Sequence, residues 1–257
     1  MSQADPPKPR QAWLISIAAV VAALIGWEAV ARVMNTPQQM PPLKAIAEAF
    51  AAMLLSGELG RATGESLKRV AVGYVWGAGA GIVAGLLLGS IRAFNDTVGL
   101  VMEFIKGIPP IAVAPLAIMW LGVGEGSKYL IIGYIVCIVV AVSTAVGAAE
   151  VPIVRLRAGA IFGLGWLRTF TSIILPSSMP FIMAGLRSAI GFAFVALVSA
   201  ELIAANSGIG QIIMDARFAL QTSTMIVGLL TLGAVGALIQ VAFDALVRFS
   251  VIGRRYH

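Results

Sequence analysis

Residues 157–176 read RAGAIFGLGWLRTFTSIILP and lie between two long apolar stretches. The segment holds Arg157 and Arg168, a glycine-punctuated centre and a closing Leu-Pro, with Arg155 just ahead of it. It is too polar and too interrupted to cross a bilayer. Gly163 and Gly165 break a helix or allow a backbone angle that other residues avoid, so the spacing predicts two short helices meeting at a bend. Pro176 is then predicted to open the next span, where its missing donor costs nothing. A helix–bend–helix standing out of a membrane domain suits a docking handle. It equally suits an amphipathic connector carrying positive charge on the inner side.

The surrounding chain sets that choice. Only 12 % of its residues are charged and 59 % are hydrophobic, with a mean hydropathy of +0.94. A soluble domain carries about 25 % charged residues, so the solvent here is the bilayer. Cys137, the single cysteine, sits in an apolar run and reads as a small buried residue; it forms no internal disulfide. The single histidine is the last residue, His257, which argues against a His-based metal site or catalytic triad. No catalytic, cofactor-binding or metal-ligating residue is expected. The net charge of +6 comes from basic residues scattered singly between apolar runs. That pattern fits membrane orientation better than nucleic-acid binding.

A spanning helix needs roughly 20 mostly apolar residues. Six such runs occur: Trp13–Val33, Leu67–Ile91, Val98–Leu121, Tyr129–Ala149, Phe181–Ala204 and Thr224–Phe249. The fold class is therefore all-α and polytopic, with six transmembrane helices. The first run follows Lys8 and Arg10 but is longer than a signal-peptide core, so it reads as a retained anchor. Residues 1–12 read as a cytosolic tail rich in proline and polar groups, and residues 13–257 as one transmembrane domain with a cytosolic loop at 150–176. An inside start with six spans places both termini inside. The densest basic clusters, Arg155 to Arg168 and Arg254–Arg255, then fall inside; Lys44, Arg61, Lys68, Arg69, Lys128 and Arg217 fall outside. An amphipathic run over Ala45–Leu55 is expected to lie on the outer interface.

Two spans carry distinctive patterns. Gly73, Gly77, Gly81, Gly85 and Gly89 recur every fourth residue, a stripe that lets another helix come close, either as static packing or as a moving interface. Pro109, Pro110 and Pro115 interrupt the third span. Prolines remove backbone donors, which a membrane tolerates where protein or a water-filled cavity satisfies the freed carbonyls. These three residues are candidates to line a translocation path, with an architectural kink as the other reading.

Glu28, Arg187, Glu201 and Asp244 lie within or near the ends of spans, where a charge at the bilayer centre costs about 2.5–3.5 kcal/mol on insertion scales. Arg187 and Glu201 share a helix face but stand about 21 Å apart by helical rise, so they do not pair. Arg187 is expected to pair with another helix or to snorkel to the inner interface. Glu201 is either a path residue near the outer face or a structural hydrogen-bond acceptor. Glu28 with Arg32 and Asp244 with Arg248 have the i, i+4 spacing of helical ion pairs.

The opening segment resembles the cytoplasmic loop of importer-type ABC transporter permeases, whose signature is Glu-Ala-Ala, three residues, Gly, nine residues, Ile, one residue, Leu-Pro. Ala158, Gly163, Ile173, Leu175 and Pro176 match it; Arg157 stands in place of the glutamate and Gly159 in place of the second alanine. The flanking stretches IPPIAVAPLAIMWLGVGEGSKYLII and LPSSMPFIMAGLRSAIGFAFVALVSAELIAANSGIG resemble the permeases of nitrate, sulfonate and taurine importers. The resemblance implies a type I importer permease fold in a bacterial cytoplasmic (inner) membrane. It implies that Arg157, Ala158, Gly163, Leu164, Ile173, Leu175 and Pro176 form a coupling loop for a cytosolic ABC ATPase. The same resemblance implies a periplasmic or lipid-anchored substrate-binding protein, a permease homodimer and a small anionic solute. No G-x-x-x-x-G-K-[ST] phosphate loop occurs, so ATP and Mg are expected on the partner ATPase. An ion-coupled secondary carrier or channel is the alternative class; it would place paired ionisable groups at mid-membrane and often show internal repeats.

Overall fold

In the computed structural model the backbone is described for residues 9–204 and 206–249, and side chains for 15–203 and 206–247. Residues 1–8 of the expected tail lie outside the described residues. Among the described residues every regular element is helical: α1 (Pro9–Met34), α2 (Leu43–Leu55), α3 (Glu58–Ser90), α4 (Arg92–Lys106), α5 (Pro110–Leu121), α6 (Glu125–Ala149), α7 (Ile153–Ile161), α8 (Trp166–Thr169), a π-helical turn (Phe170–Ile174), α9 (Leu175–Ala204), α10 (Ile209–Phe218) and α11 (Thr222–Phe249).

Five helical stretches are long and apolar enough to cross a membrane, and a sixth span exists if the bent pair α4–α5 counts as one. In that pair the interruption expected within Val98–Leu121 is a full break: its two halves are bent by 101°. The cause is local. Pro109 and Pro110 supply no donors, and Pro110 is taken up as the first residue of α5, where none is needed. The Tyr134 hydroxyl donates between the carbonyls of Ile105 (2.8 Å) and Ile108 (3.2 Å), covering acceptors that the break exposes.

The chain divides into two compact units. One comprises the residues up to Leu59 together with Ile212–Leu229. In it Glu28 accepts from Arg32 (2.9 Å), as the spacing predicts, and also from the backbone N–H of Leu43 (2.9 Å). The Trp27 indole donates to the Pro41 carbonyl (3.0 Å). These bonds tie the start of α2, the expected interfacial helix, back onto α1.

The other unit, Gly60–Gln211 with the chain from Leu230 on, holds the helices α3, α6 and α9. The glycine stripe of α3 meets the backbone of α6. A Cβ at Gly85 would fall 2.5 Å from the Ala141 carbonyl oxygen, and one at Gly77 would fall 2.5 Å from that of Gly133. No residue but glycine allows that approach. Ile131, Val136, Val140, Ala193, Leu197 and Ala200, all on α6 or α9, are fully buried. We expect Gly85→Leu to lower the yield of folded protein and its melting temperature in detergent, at a cost of about 1–3 kcal/mol from overpacking. Gly79→Leu, on a face with nothing within 4 Å, should leave both unchanged.

Candidate functional site

The 157–176 loop has the predicted bend. Helix α7 ends in a Schellman motif: the Leu164 N–H donates to the Gly159 carbonyl and the Gly163 N–H to that of Ala160, both at 3.0 Å. Gly163 takes φ +69°, the left-handed conformation that such an ending requires. Ile173 and Leu164 pack over Gly159, so a second alanine at 159 would press on Ile173. Ala158, Leu164, Ile173 and Pro176 border a groove of about 590 Å³, in which Arg155 donates to the Ser177 hydroxyl (3.0 Å).

One expectation is corrected. Pro176 does not open a span: the helical course already begins at Trp166 and continues through the π-helical turn into α9. A proline inside a helix removes one bond and crowds the preceding turn, and the widened turn at Phe170–Ile174 lies directly ahead of it.

Sequence reading missed what the loop presents outward. Ile161, Phe162, Trp166 and Leu167 are strongly exposed, Trp166 stacks on Phe170 at 5.6 Å, and Arg157 and Arg168 are exposed around them. The other side of the loop is anchored. Phe170, Ile173 and Leu175 pack on Leu86 of α3, Ala148 of α6 and Val151.

At the far ends of the same helices lies a buried charge cluster. Glu201 is fully enclosed; Oε1 accepts from Arg69 (2.7 Å) and Ser66 (2.7 Å), and Oε2 accepts from the Gly210 N–H (2.7 Å). Arg69 reaches Glu125 through Nε and Nη2 at 2.8 Å each, and Ser207 through its carbonyl (2.7 Å) and hydroxyl (2.5 Å). A guanidinium has five N–H donors, and all are engaged. Lys128 adds a bond to Glu125 (2.7 Å), and Glu65 stands 4.0 Å from Arg69, so two cations face three carboxylates. Gly208, at φ +106°, lies where a side chain would strike both Arg69 and Glu201.

The sequence named Glu201 but assigned Arg69 only to a loop-charge count, and did not single out Glu125. The Ser66/Arg69 and Glu125/Lys128 spacings, one helical turn each, were the available signal. Pro109, just ahead of α5, and Pro115 within it are exposed, and Pro110 is half-buried. Asp244 accepts from Arg187 of α9 at 2.7 Å, as the expected pairing of Arg187 with another helix requires; the side chain of Arg248, the i+4 candidate for Asp244, lies outside the described residues.

Residues 77–252 match the family of the binding-protein-dependent transport system inner membrane component. The chain belongs to that family of ABC importer permeases. It is 30 % identical over 236 residues to the putative aliphatic sulfonates transport permease protein SsuC of Bacillus subtilis, covering 91 % of this chain and 85 % of that one. Identity to the taurine transport system permease protein TauC of Escherichia coli is 29 %, over 94 % of this chain and 90 % of that one. The nitrate import permease protein NrtB of Synechocystis is 34 % identical over 68 % of this chain and 63 % of its own length. The fold is that of the permease in inward-facing structures of the MetNI methionine ABC transporter, with a TM-score of 0.64 at 20 % identity over 76 % of this chain and 96 % of that one. The protein is thus a multi-pass inner-membrane permease component.

Breaking a buried ion pair by removing one partner costs about 3–5 kcal/mol. Arg69→Ala and Glu201→Ala should each lose folded protein in detergent. Glu125→Gln should cost less, because its side chain is 41 % exposed. Thermal melting of the three variants checks this order.

Proposed function

We propose that the chain is the spanning subunit of an ATP-driven importer that moves a small anionic solute inward. Two copies would enclose the path. A separate cytosolic ATPase would hold ATP and Mg and dock on the 157–176 loop. A periplasmic or lipid-anchored binding protein would deliver the solute at the opposite face, with both termini of the permease in the cytosol.

The supporting observation is the exposed apolar cap Ile161–Phe162–Trp166–Leu167 on a loop whose underside is packed on α3 and α6. Four large apolar side chains exposed on this arginine-flanked loop are costly in water and gain by entering a groove on a partner. Because the underside is packed, a push on the cap moves helices rather than only the loop. In this reading the exposed prolines of α4–α5 border the path. Glu201 acts at the outer end by fixing α3, α6 and α9 together through Arg69, rather than by touching solute.

Gly163→Asp tests the docking. Aspartate tolerates the left-handed backbone better than most residues, so the bend survives while a negative charge enters the docking face. The variant should insert normally, still co-purify at reduced yield with an ATPase, and lose uptake while ATP hydrolysis continues. Normal uptake would overturn the docking assignment. Purification of the parent from its own membranes in mild detergent should yield a stoichiometric ATPase chain; recovery alone, with transport in ATP-free vesicles, would favour an ion-coupled carrier.

A further inference from the structure

Arg187 sits twelve residues into α9, about 18 Å by helical rise from Leu175 and about 26 Å from Ala204. It lies inside an apolar span, yet 59 % of its side chain is exposed. Among the described residues its one partner is Asp244 of α11, through Nη2, and Asp244 is itself 28 % exposed. A cation so placed cannot face lipid without a penalty of several kcal/mol. Its neighbours on the helix do not look like a lipid face. The exposed positions beside it are Ala184, Ser188 and Gly191, and large apolar groups take over at Phe192 and Val195. On α11, Gln240 precedes Asp244 by one turn and is also partly exposed. Small and polar residues thus flank the accessible guanidinium on α9, and on α11 Gln240 stands one turn from Asp244, with the exposed Val241 and Leu246 beside them.

We propose that Arg187 is a binding point for a small oxyanion within the translocation path, held in place by Asp244. The inference deepens the importer reading above and rests on it. A guanidinium has five donors in a planar fork that suits sulfonate, nitrate or carboxylate oxygens, and the ion pair uses one of them. Asp244 has two effects. It orients the fork across the helix boundary, and it neutralises Arg187 when the path is empty. The carboxylate competes with an arriving anion, so occupancy is weak, as a path that must release its cargo requires.

The test uses the purified full chain in detergent, with methanesulfonate and nitrate as probes against the bulkier gluconate at equal ionic strength. A ligand that binds the folded state raises the melting temperature in a saturable way. Both probes should do so for the parent. Arg187→Gln should raise the half-maximal concentration at least about tenfold, about 1.4 kcal/mol. Asp244→Asn should keep or tighten the response, since the competing carboxylate is gone. The exchange Arg187→Asp/Asp244→Arg should restore the melting temperature without probe while leaving the anion response lost. That last result separates an anion contact from a purely structural pair. An unresponsive parent, an Arg187→Gln variant that responds like the parent, or an exchange that recovers the response would each overturn the proposal. A chain that purifies with its ATPase but ignores the probes refutes this site alone. One that responds but brings no ATPase refutes the importer reading instead.

Discussion

Arg69 spends every N–H it has on three residues far along the chain, Glu125, Glu201 and Ser207. In a bilayer, polar groups left without partners cost several kcal/mol each, so such a residue either finds all its partners or prevents folding. Its partners fix where α6, α9 and the 207–210 turn meet α3. The glycine stripe then decides how closely α3 and α6 run, because their backbones touch where a Cβ would collide. At the other end the apolar cluster of Leu86, Ala148, Val151 and Ile174 closes the set. The three helices are pinned at both ends and zipped between. Displacement of the loop is therefore passed along a stiff assembly, because packed interiors resist deformation.

What the sequence made legible was local. Apolar runs of spanning length, the every-fourth glycines and the glycine bend in the loop each depend on residues within a turn or two of each other. The Schellman ending of α7 is of this kind: Gly163 announces it, and Gly159 and Leu164 complete it. The pair Glu28–Arg32 formed as its spacing suggests for the same reason.

What was not legible was decided across the fold. Arg69 meets partners 56, 132 and 138 residues away, and nothing in its own neighbourhood distinguishes it from other basic residues near span ends. Asp244 is met by Arg187, 57 residues away on α9, a pairing that no local spacing announces. The double proline at 109–110 announced a kink, but not that the hydroxyl of Tyr134, more than twenty residues further on, would bond to carbonyls at the break. The π-helical turn before Pro176 follows from a continuous helix that no local signal required to be continuous.

Arg69 and Arg187 show how the same side chain takes opposite roles. The first is fully buried, with no donor left and two carboxylates at hand. It can gain nothing from a solute, and removing any partner exposes an unpaired charge. The second is mostly exposed and bonded once. A guanidinium in that state is neither satisfied nor shielded, and inside a membrane span it needs water or an anion beside it. A path that carries anions supplies both in turn. Donor satisfaction, rather than depth along the helix or distance to a carboxylate, therefore separates the arginine that holds this fold from the one free to touch what passes through it.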